Sequence, residues 1–189
     1  MNIVIFGGSG GLGSQLEFPS HNVIKLSSKD VDILDPEAIK KFFEQTPTDV
    51  VINLSGYNSD ALIHRIDWEK ADRVIDINLK GNLHIVKEAM IHMRERGFGR
   101  IILISSILAA KPVMGTSVYS ATKAAIDNLV KTVAIEGAAK GVTCNSIQLG
   151  YFDGGILYNI PEKIREKIRM SIPMKRWGTI KELEDTISW

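Results

Sequence analysis

The chain has 189 residues, 44% of them hydrophobic and 24% charged, with a formal net charge of +1. That length carries one sizeable core, and the near-neutral balance gives no ground for nucleic acid or membrane as a partner. No apolar run reaches the ~20 residues of a membrane span. The single Cys144 excludes an intrachain disulfide, and no signal-peptide pattern precedes the first strand-like segment, so a reducing cytoplasm is the expected setting.

In chain order, Asn2–Phe6 reads as a strand that is apolar on consecutive residues, as in a parallel sheet covered on both faces. The glycine run Gly7–Gly13 follows, and a helical pattern over Leu12–Glu17. Asn22–Leu26 is a second strand. Only Ser27–Lys29 separate it from Asp30–Ile33, and a parallel crossover needs about a dozen residues. Asp30–Ile33 is therefore read as a loop into a helix at Pro36–Gln45, with Asp35 as N-cap and Pro36 in the first turn. Val50–Asn53, Arg100–Ser105 and Val142–Ile147 are further strands. Asp72–Arg96 and Thr116–Lys140 are long helices, and a short one starts near Pro161. The alternation predicts one α/β domain over 1–189, a Rossmann-like doubly wound sheet of five parallel strands in the order 2-1-3-4-5. Its ligand crevice should lie at the switch point between the first and third strands.

The glycine run allows two registers, Gly8-x-Gly10-x-x-Gly13 and Gly7-x-x-x-Gly11-x-Gly13. Placed between a strand and a helix, it can bring backbone N–H groups against a pyrophosphate; the alternative is a flexible turn that holds nothing. Gly7, Ser9, Gly10, Gly11, Leu12 and Gly13 are its candidate contacts. Ser27, Ser28 and Lys29 end the second strand where NAD-binding folds place an acid for the ribose diol. Hydroxyls and an ammonium suit a 2′-phosphate better, so NADP(H) is favoured over NAD(H). Asp32 is placed to meet the adenine. Tyr119 and Lys123 lie four apart on one helix face. The ammonium should lower the phenol's pKa and fit Tyr119 for general acid–base work. Ser106, at the end of a strand, could bond the reacting oxygen. The four histidines fall at no recognised zinc spacing, and His84 and His92 read as surface or packing residues.

Together these residues resemble the short-chain dehydrogenase/reductase family, over nearly the whole chain. The Gly7/Gly11/Gly13 register is similar to its cofactor loop. Asn53-Leu54-Ser55-Gly56 resembles its Asn-Asn-Ala-Gly segment, which borders the cofactor. The resemblance implies that Asn78, Ser106, Tyr119 and Lys123 form a catalytic tetrad. In it Asn78 holds a water linking the lysine to solvent, Tyr119 donates the proton and Lys123 also binds the nicotinamide ribose. It further places Asn53, Ser55, Gly56 and Gly150 at the cofactor and Asp32 at the adenine. The second half, including Ile172–Gly178, is similar to 3-oxoacyl-carrier-protein reductases; the first half resembles compact members one βα unit short. Phe6 stands where the family often has threonine, Leu149-Gly150 replaces Pro-Gly, and Gly154 replaces a threonine that meets the carboxamide. The chain ends at Ile187-Ser188-Trp189, where the family continues into a final strand. The expectation is an interrupted chain, or one that does without that strand and leaves the edge near Val142–Ile147 open.

Ser106–Ala110, Val113–Met114 and the segment after Gly150 are expected to form the substrate pocket. Tyr151, Phe152, Leu157 and Tyr158 would be its apolar wall, or plain core, and Gly154–Gly155 a hinge. Lys163, Arg165, Lys167 and Arg169 would attract an anion or form a solvated face. Ile77, Ile85 and Ile91 lie off the Val74/Leu79/Leu83/Val86/Met90 stripe, which suggests a second apolar face. A homodimer or homotetramer through Asp72–Arg96 and Thr116–Lys140 is expected. The leading function is NADP(H)-dependent interconversion of a carbonyl and a secondary alcohol, with a 3-oxoacyl thioester as the substrate implied by the resemblance. The alternatives are a non-catalytic NADP(H)-binding sensor and a sugar-nucleotide enzyme of the related extended class.

Overall fold

The structure, a computed structural model, describes residues 1–154, 157 and 160–189. Five parallel strands form one sheet: β1 (Asn2–Phe6), β2 (Asn22–Leu26), β3 (Val50–Asn53), β4 (Gly99–Ser106) and β5 (Val142–Leu149), in the order β2-β1-β3-β4-β5. This is the Rossmann-like doubly wound arrangement. Phe6 pairs with both Leu26 and Asn53, and Ser106 with Leu149, so the carboxyl ends of neighbouring strands line up. Those ends are where such sheets receive ligands.

Strand residues alternate between two cores. Val4, Phe6, Val51, Ile101 and Leu103 pack on one face with α1 (Pro36–Gln45), α3 (Gly81–Arg96) and α4 (Ser117–Ala138). Ile3, Ile5, Val50 and Ile52 pack on the other with Leu16, Phe18 and Leu183, the last from the C-terminal helix Ile180–Ser188. Each fully buried aliphatic side chain contributes about 1.5–3 kcal/mol. The N-caps follow local chemistry: Asp35 accepts from the Glu37 and Ala38 amides, and Thr179 and Glu182 form a reciprocal capping box. No helix among the described residues is long and apolar enough to cross a membrane.

Two expectations are corrected. Leu12–Glu17 is not a helix; residues 11–15 form successive turns. The connection must return from the end of β1 to the start of β2, and glycines fill its first part while Pro19 and a turn at 19–20 fill its last. The remaining residues instead bury Leu16 and Phe18 in the core. The long helix begins at Trp68 rather than Asp72, as α2 (Trp68–Ile75), and a π-turn at Asp76–Lys80 separates it from α3. A π-turn inserts a residue and rotates everything beyond it by about 100°. Hence Ile85 is fully buried and Leu83 points outward, 44% exposed, which reverses their expected places. Ile77 packs on the core, whereas Ile91 is exposed as expected. The helix expected from Pro161 is α5 (Glu162–Ser171), and Ile180–Ser188 is α6.

Candidate active site and cofactor cradle

The cradle sits where β1 and β3 diverge. Gly7 has φ +71°, a left-handed conformation that glycine adopts without a Cβ penalty. A Cβ on it would stand 2.7 Å from the Ser55 amide nitrogen, so the two loops meet backbone to backbone. The Gly8 amide donates to Leu26 O at 2.8 Å, which ties the glycine loop to the end of β2. A Cβ at Gly13 would overlap Gly7 O and lie 2.9 Å from Gly8 Cα. Ser9, Gly10 and Gly11 are exposed at the carboxyl end of the sheet, with Leu12 half-buried beside them. Only a chain lacking Cβ atoms at Gly7 and Gly13 makes this turn, and its open backbone fits a pyrophosphate.

Ser55 and Gly56 face the loop from β3, and Asn53 beneath them is buried. Its Oδ1 accepts from the Ser55 amide at 2.9 Å. Beyond β2, the Ser27 hydroxyl donates to Asp30 at 2.6 Å and accepts from the Lys29 amide at 3.2 Å. Ser27 is thereby committed to its own turn, while Ser28 and Lys29 are exposed. Asp32 holds a local turn, accepting from the Leu34 amide at 2.9 Å. Gly150 is exposed, with open space where a Cβ would be.

Ser106, Tyr119 and Lys123 come together, and Asn78 reaches the same turn of α4 through Thr122. Ser106 ends β4; its hydroxyl accepts from the Leu108 amide at 3.2 Å and acts on the Tyr119 phenol to lower its pKa. One turn along α4, Lys123 is 3% exposed. Its Nζ donates to Ile104 O at 2.7 Å and lies 5.6 Å from the Tyr119 ring centroid. Ser105, also buried, donates to Lys123 O at 3.1 Å and pins α4 to the sheet. Asn78, fully buried in the π-turn, clamps Tyr57: its Oδ1 accepts from the Tyr57 amide at 2.9 Å and its Nδ2 donates to Tyr57 O at 2.8 Å.

The electrostatics differ from the expectation. The Tyr119 phenol is raised above its ordinary value, not lowered. Burial outweighs the Ser106 hydrogen bond, and the carboxylate of Asp60 adds to the rise. Lys123 is itself pushed down to about 8 by burial, with Asp127 partly opposing. Its ammonium is satisfied by a backbone carbonyl beneath the ring instead of standing against the phenolic oxygen. Asp127 is held by Ser146 at 2.8 Å and Gln148 at 2.6 Å.

The Lys123 shift makes a stability prediction. Below pH 8 the lysine is charged in both folded and unfolded chains. Between pH 8 and its unfolded value of about 10.4, the folded chain holds fewer protons, so stability rises with pH. From pH 8 to 9 this amounts to about 1 kcal/mol. Urea melts of the parent and Lys123→Met should differ by that slope; parallel pH dependences would refute the buried ammonium.

The expected pocket is drawn together only in part. Val113 and Met114 are exposed at its rim, Met114 at 87%. Phe152 packs in the second core and bridges to Gly178, and Leu157 is buried; both are core. Tyr151 meets Trp177 edge-on at 6.2 Å. Gly155 and Tyr158 lie outside the described residues. Of the α5 cations, Arg169 pairs with Glu166 at 2.7 Å, as on a solvated face. His84 bonds Ile33 O at 2.9 Å, and His92 stacks on Phe43, both packing roles. Sequence reasoning missed Ser105, Asn82 and Thr122; their polarity at core-facing positions of β4, α3 and α4 was the available signal.

A sheet of this topology with these groups at its carboxyl ends defines a dinucleotide-binding α/β protein. The model of the family described as Enoyl-(Acyl carrier protein) reductase matches residues 20–189. The chain belongs to the short-chain dehydrogenase/reductase family. It is 41% identical over 138 residues to an acetoacetyl-CoA reductase of Rhizobium meliloti (strain 1021), covering 72% of this chain and 57% of that protein. It thus spans less than two thirds of that relative's length. A 3-oxoacyl-[acyl-carrier-protein] reductase of Rickettsia felis is 28% identical over 209 residues, covering 98% of this chain and 87% of the relative. The fold matches NAD+-bound xylitol dehydrogenase with a TM-score of 0.90 at 20% identity, covering 99% of this chain and 90% of that one.

Proposed function

We propose that the chain is an NADP(H)-dependent oxidoreductase interconverting a carbonyl and a secondary alcohol. The observation that carries this reading is the Tyr119 ring over the buried Lys123 ammonium at 5.6 Å, with the Ser106 hydroxyl acting on the phenol from the end of β4. The nicotinamide, when bound, supplies or takes the hydride. Burial keeps the phenol protonated at neutral pH, which suits it to give a proton to the carbonyl oxygen. Ser106 donates a hydrogen bond to the same oxygen and holds it beside the phenol. Lys123 carries positive charge under the ring and binds the nicotinamide ribose, and Asn78 completes the group.

Gly7, Ser9, Gly10, Gly11, Leu12 and Gly13 would hold the pyrophosphate. Asn53, Ser55, Gly56 and Gly150 would border the nicotinamide side, and Asp32 the adenine. With the Ser27 hydroxyl committed to Asp30, preference for a 2′-phosphate falls to Ser28 and the Lys29 ammonium. The names of the relatives favour a 3-oxoacyl thioester as substrate. A cytoplasmic setting belongs to the same reading. So does a homodimer or homotetramer: a groove of about 660 Å³ between α3 and α4, walled by Leu83, Met90, Ile91 and Val133, would seat a second copy. Arg94, which donates to the Glu136 carbonyl across α3 and α4, also lines the groove.

Calorimetric titration with NADPH and NADH at fixed salt, followed by acetoacetyl-CoA turnover, tests the reading. Tighter NADPH binding with turnover is expected. Tighter NADH binding overturns the cofactor preference, and binding without turnover across a carbonyl panel returns the sensor reading. Sedimentation at the monomer mass would refute the assembly.

A further inference from the structure

We infer that Asn82 is a positioning residue for the reaction centre, acting through Asn78; the inference rests on the oxidoreductase reading. Asn82 is the second residue of α3 and is 2% exposed. Its Oδ1 accepts from Asn53 Nδ2 at 2.8 Å, and its Nδ2 donates to Asn78 O at 2.7 Å. It is the middle link of one buried polar chain. On one side, Asn53 fixes the Ser55 amide, against which Gly7 is packed. On the other, Asn78 Nδ2 reaches Thr122 Oγ1 at 3.4 Å, and that hydroxyl donates to Tyr119 O at 2.7 Å. Hydrogen bonds thus run from the turn facing the glycine loop to the backbone of the proton donor.

The hydrogen-bonded chain matters because the π-turn carrying Asn78 is held internally only by the wider i→i+5 bonding of a single turn, as in Gly81 N–H to Asp76 O. Asn82 ties the Asn78 carbonyl to the end of β3, so the sheet sets the orientation of the turn. Every side-chain amide in the chain is buried, and leaving one unpaired is costly. Asn82 touches neither reacting atom; its part is to hold Asn78, and through Thr122 the first turn of α4, in one arrangement. A displacement of ~1 Å in such a constellation can cost about 100-fold in rate.

Asn82→Thr and Asn82→Val are close in shape and differ in the hydroxyl. A helical threonine donates to the carbonyl four residues back, which here is Asn78 O. Asn82→Val, which loses both links, is expected to lose about tenfold or more in kcat with the NADPH Kd little changed, and Asn82→Thr, which keeps the bond to Asn78 O but not the one from Asn53, to lose severalfold less than Asn82→Val. Equal kcat for the two variants, measured well below both melting temperatures, overturns the inference. If Asn82→Val does not fold, the Asn82→Ala and Asn82→Ser pair makes the same comparison. Amide exchange at Tyr57, whose N–H is held by Asn78 Oδ1, should quicken in the variant without the hydroxyl and not in its partner; unchanged exchange in both overturns the inference. A parent protein that turns over no carbonyl counts against the oxidoreductase reading alone, because the exchange comparison still decides the role of Asn82.

Discussion

Tyr119→Phe is expected to lower turnover by about 10³-fold while leaving NADPH affinity within about threefold. The substitution keeps the ring that packs over Lys123 and removes only the phenolic hydroxyl. Without it a carbonyl oxygen gaining negative charge has no proton donor among the converging groups. Ser106 can offer a hydrogen bond but is too weak an acid to replace the phenol, and Lys123 Nζ is turned toward Ile104 O. Steady-state rates and a calorimetric NADPH titration on the same preparation make the test. Turnover within tenfold of the parent would remove Tyr119 from the proton-donor role and leave the cradle intact.

Gly13→Ala should weaken both the fold and dinucleotide binding. The added methyl would meet backbone on two sides, Gly7 O and Gly8 Cα. That backbone cannot yield easily, because the Gly8 amide is bonded to Leu26 O at 2.8 Å and the Gly10 amide to Gly7 O at 3.0 Å. Moving it would pull on the β1–β2 pair. Overpacking of this kind costs about 1–3 kcal/mol. Gly10 makes the control: its Cβ would meet only Gly7 O, at 3.2 Å, from an exposed position. Urea melts should separate the two variants, with Gly13→Ala the less stable and unable to bind NADPH. Equal stabilities would show that Gly13 is not needed for close packing of the loop.

Parallel strand order and the limits of β1, β2 and β3 were legible because each strand is a short apolar run closed by turn residues, while β4 extends one residue beyond each expected end and β5 two beyond its expected C-terminal end. The reasoning that refused Asp30–Ile33 as a strand rested on crossover length alone, and that segment is loop. Periodicity served less well where an element is too short or irregular to repeat. Leu12–Glu17 carries a helical pattern of apolar residues, but the fifteen-residue connection uses Leu16 and Phe18 as core plugs in a string of turns. In Asp72–Arg96 the pattern is read at constant phase, and one inserted residue in the π-turn is invisible to it. Leu83 and Ile85 therefore exchanged places.

The candidate site divides along the same line. Which side chains would carry the proposed chemistry was legible in the sequence, since a phenol, an ammonium and a hydroxyl at those spacings are local properties of a helix and a strand end. Their electrostatic state was decided only by the tertiary structure. Spacing put an ammonium near Tyr119 and implied a lowered pKa, but burial acts on both groups, raising the phenol and drawing the lysine to about 8. Desolvation depends on how much of the fold surrounds a group, which four residues of spacing do not report. Nor does the chain's order disclose that Asn53, Asn78 and Asn82 share one hydrogen-bonded line. Three asparagines at separations of twenty-five and four residues become one device only when β3, the π-turn and α3 pack together, because a buried amide must find its partners wherever the fold brings them.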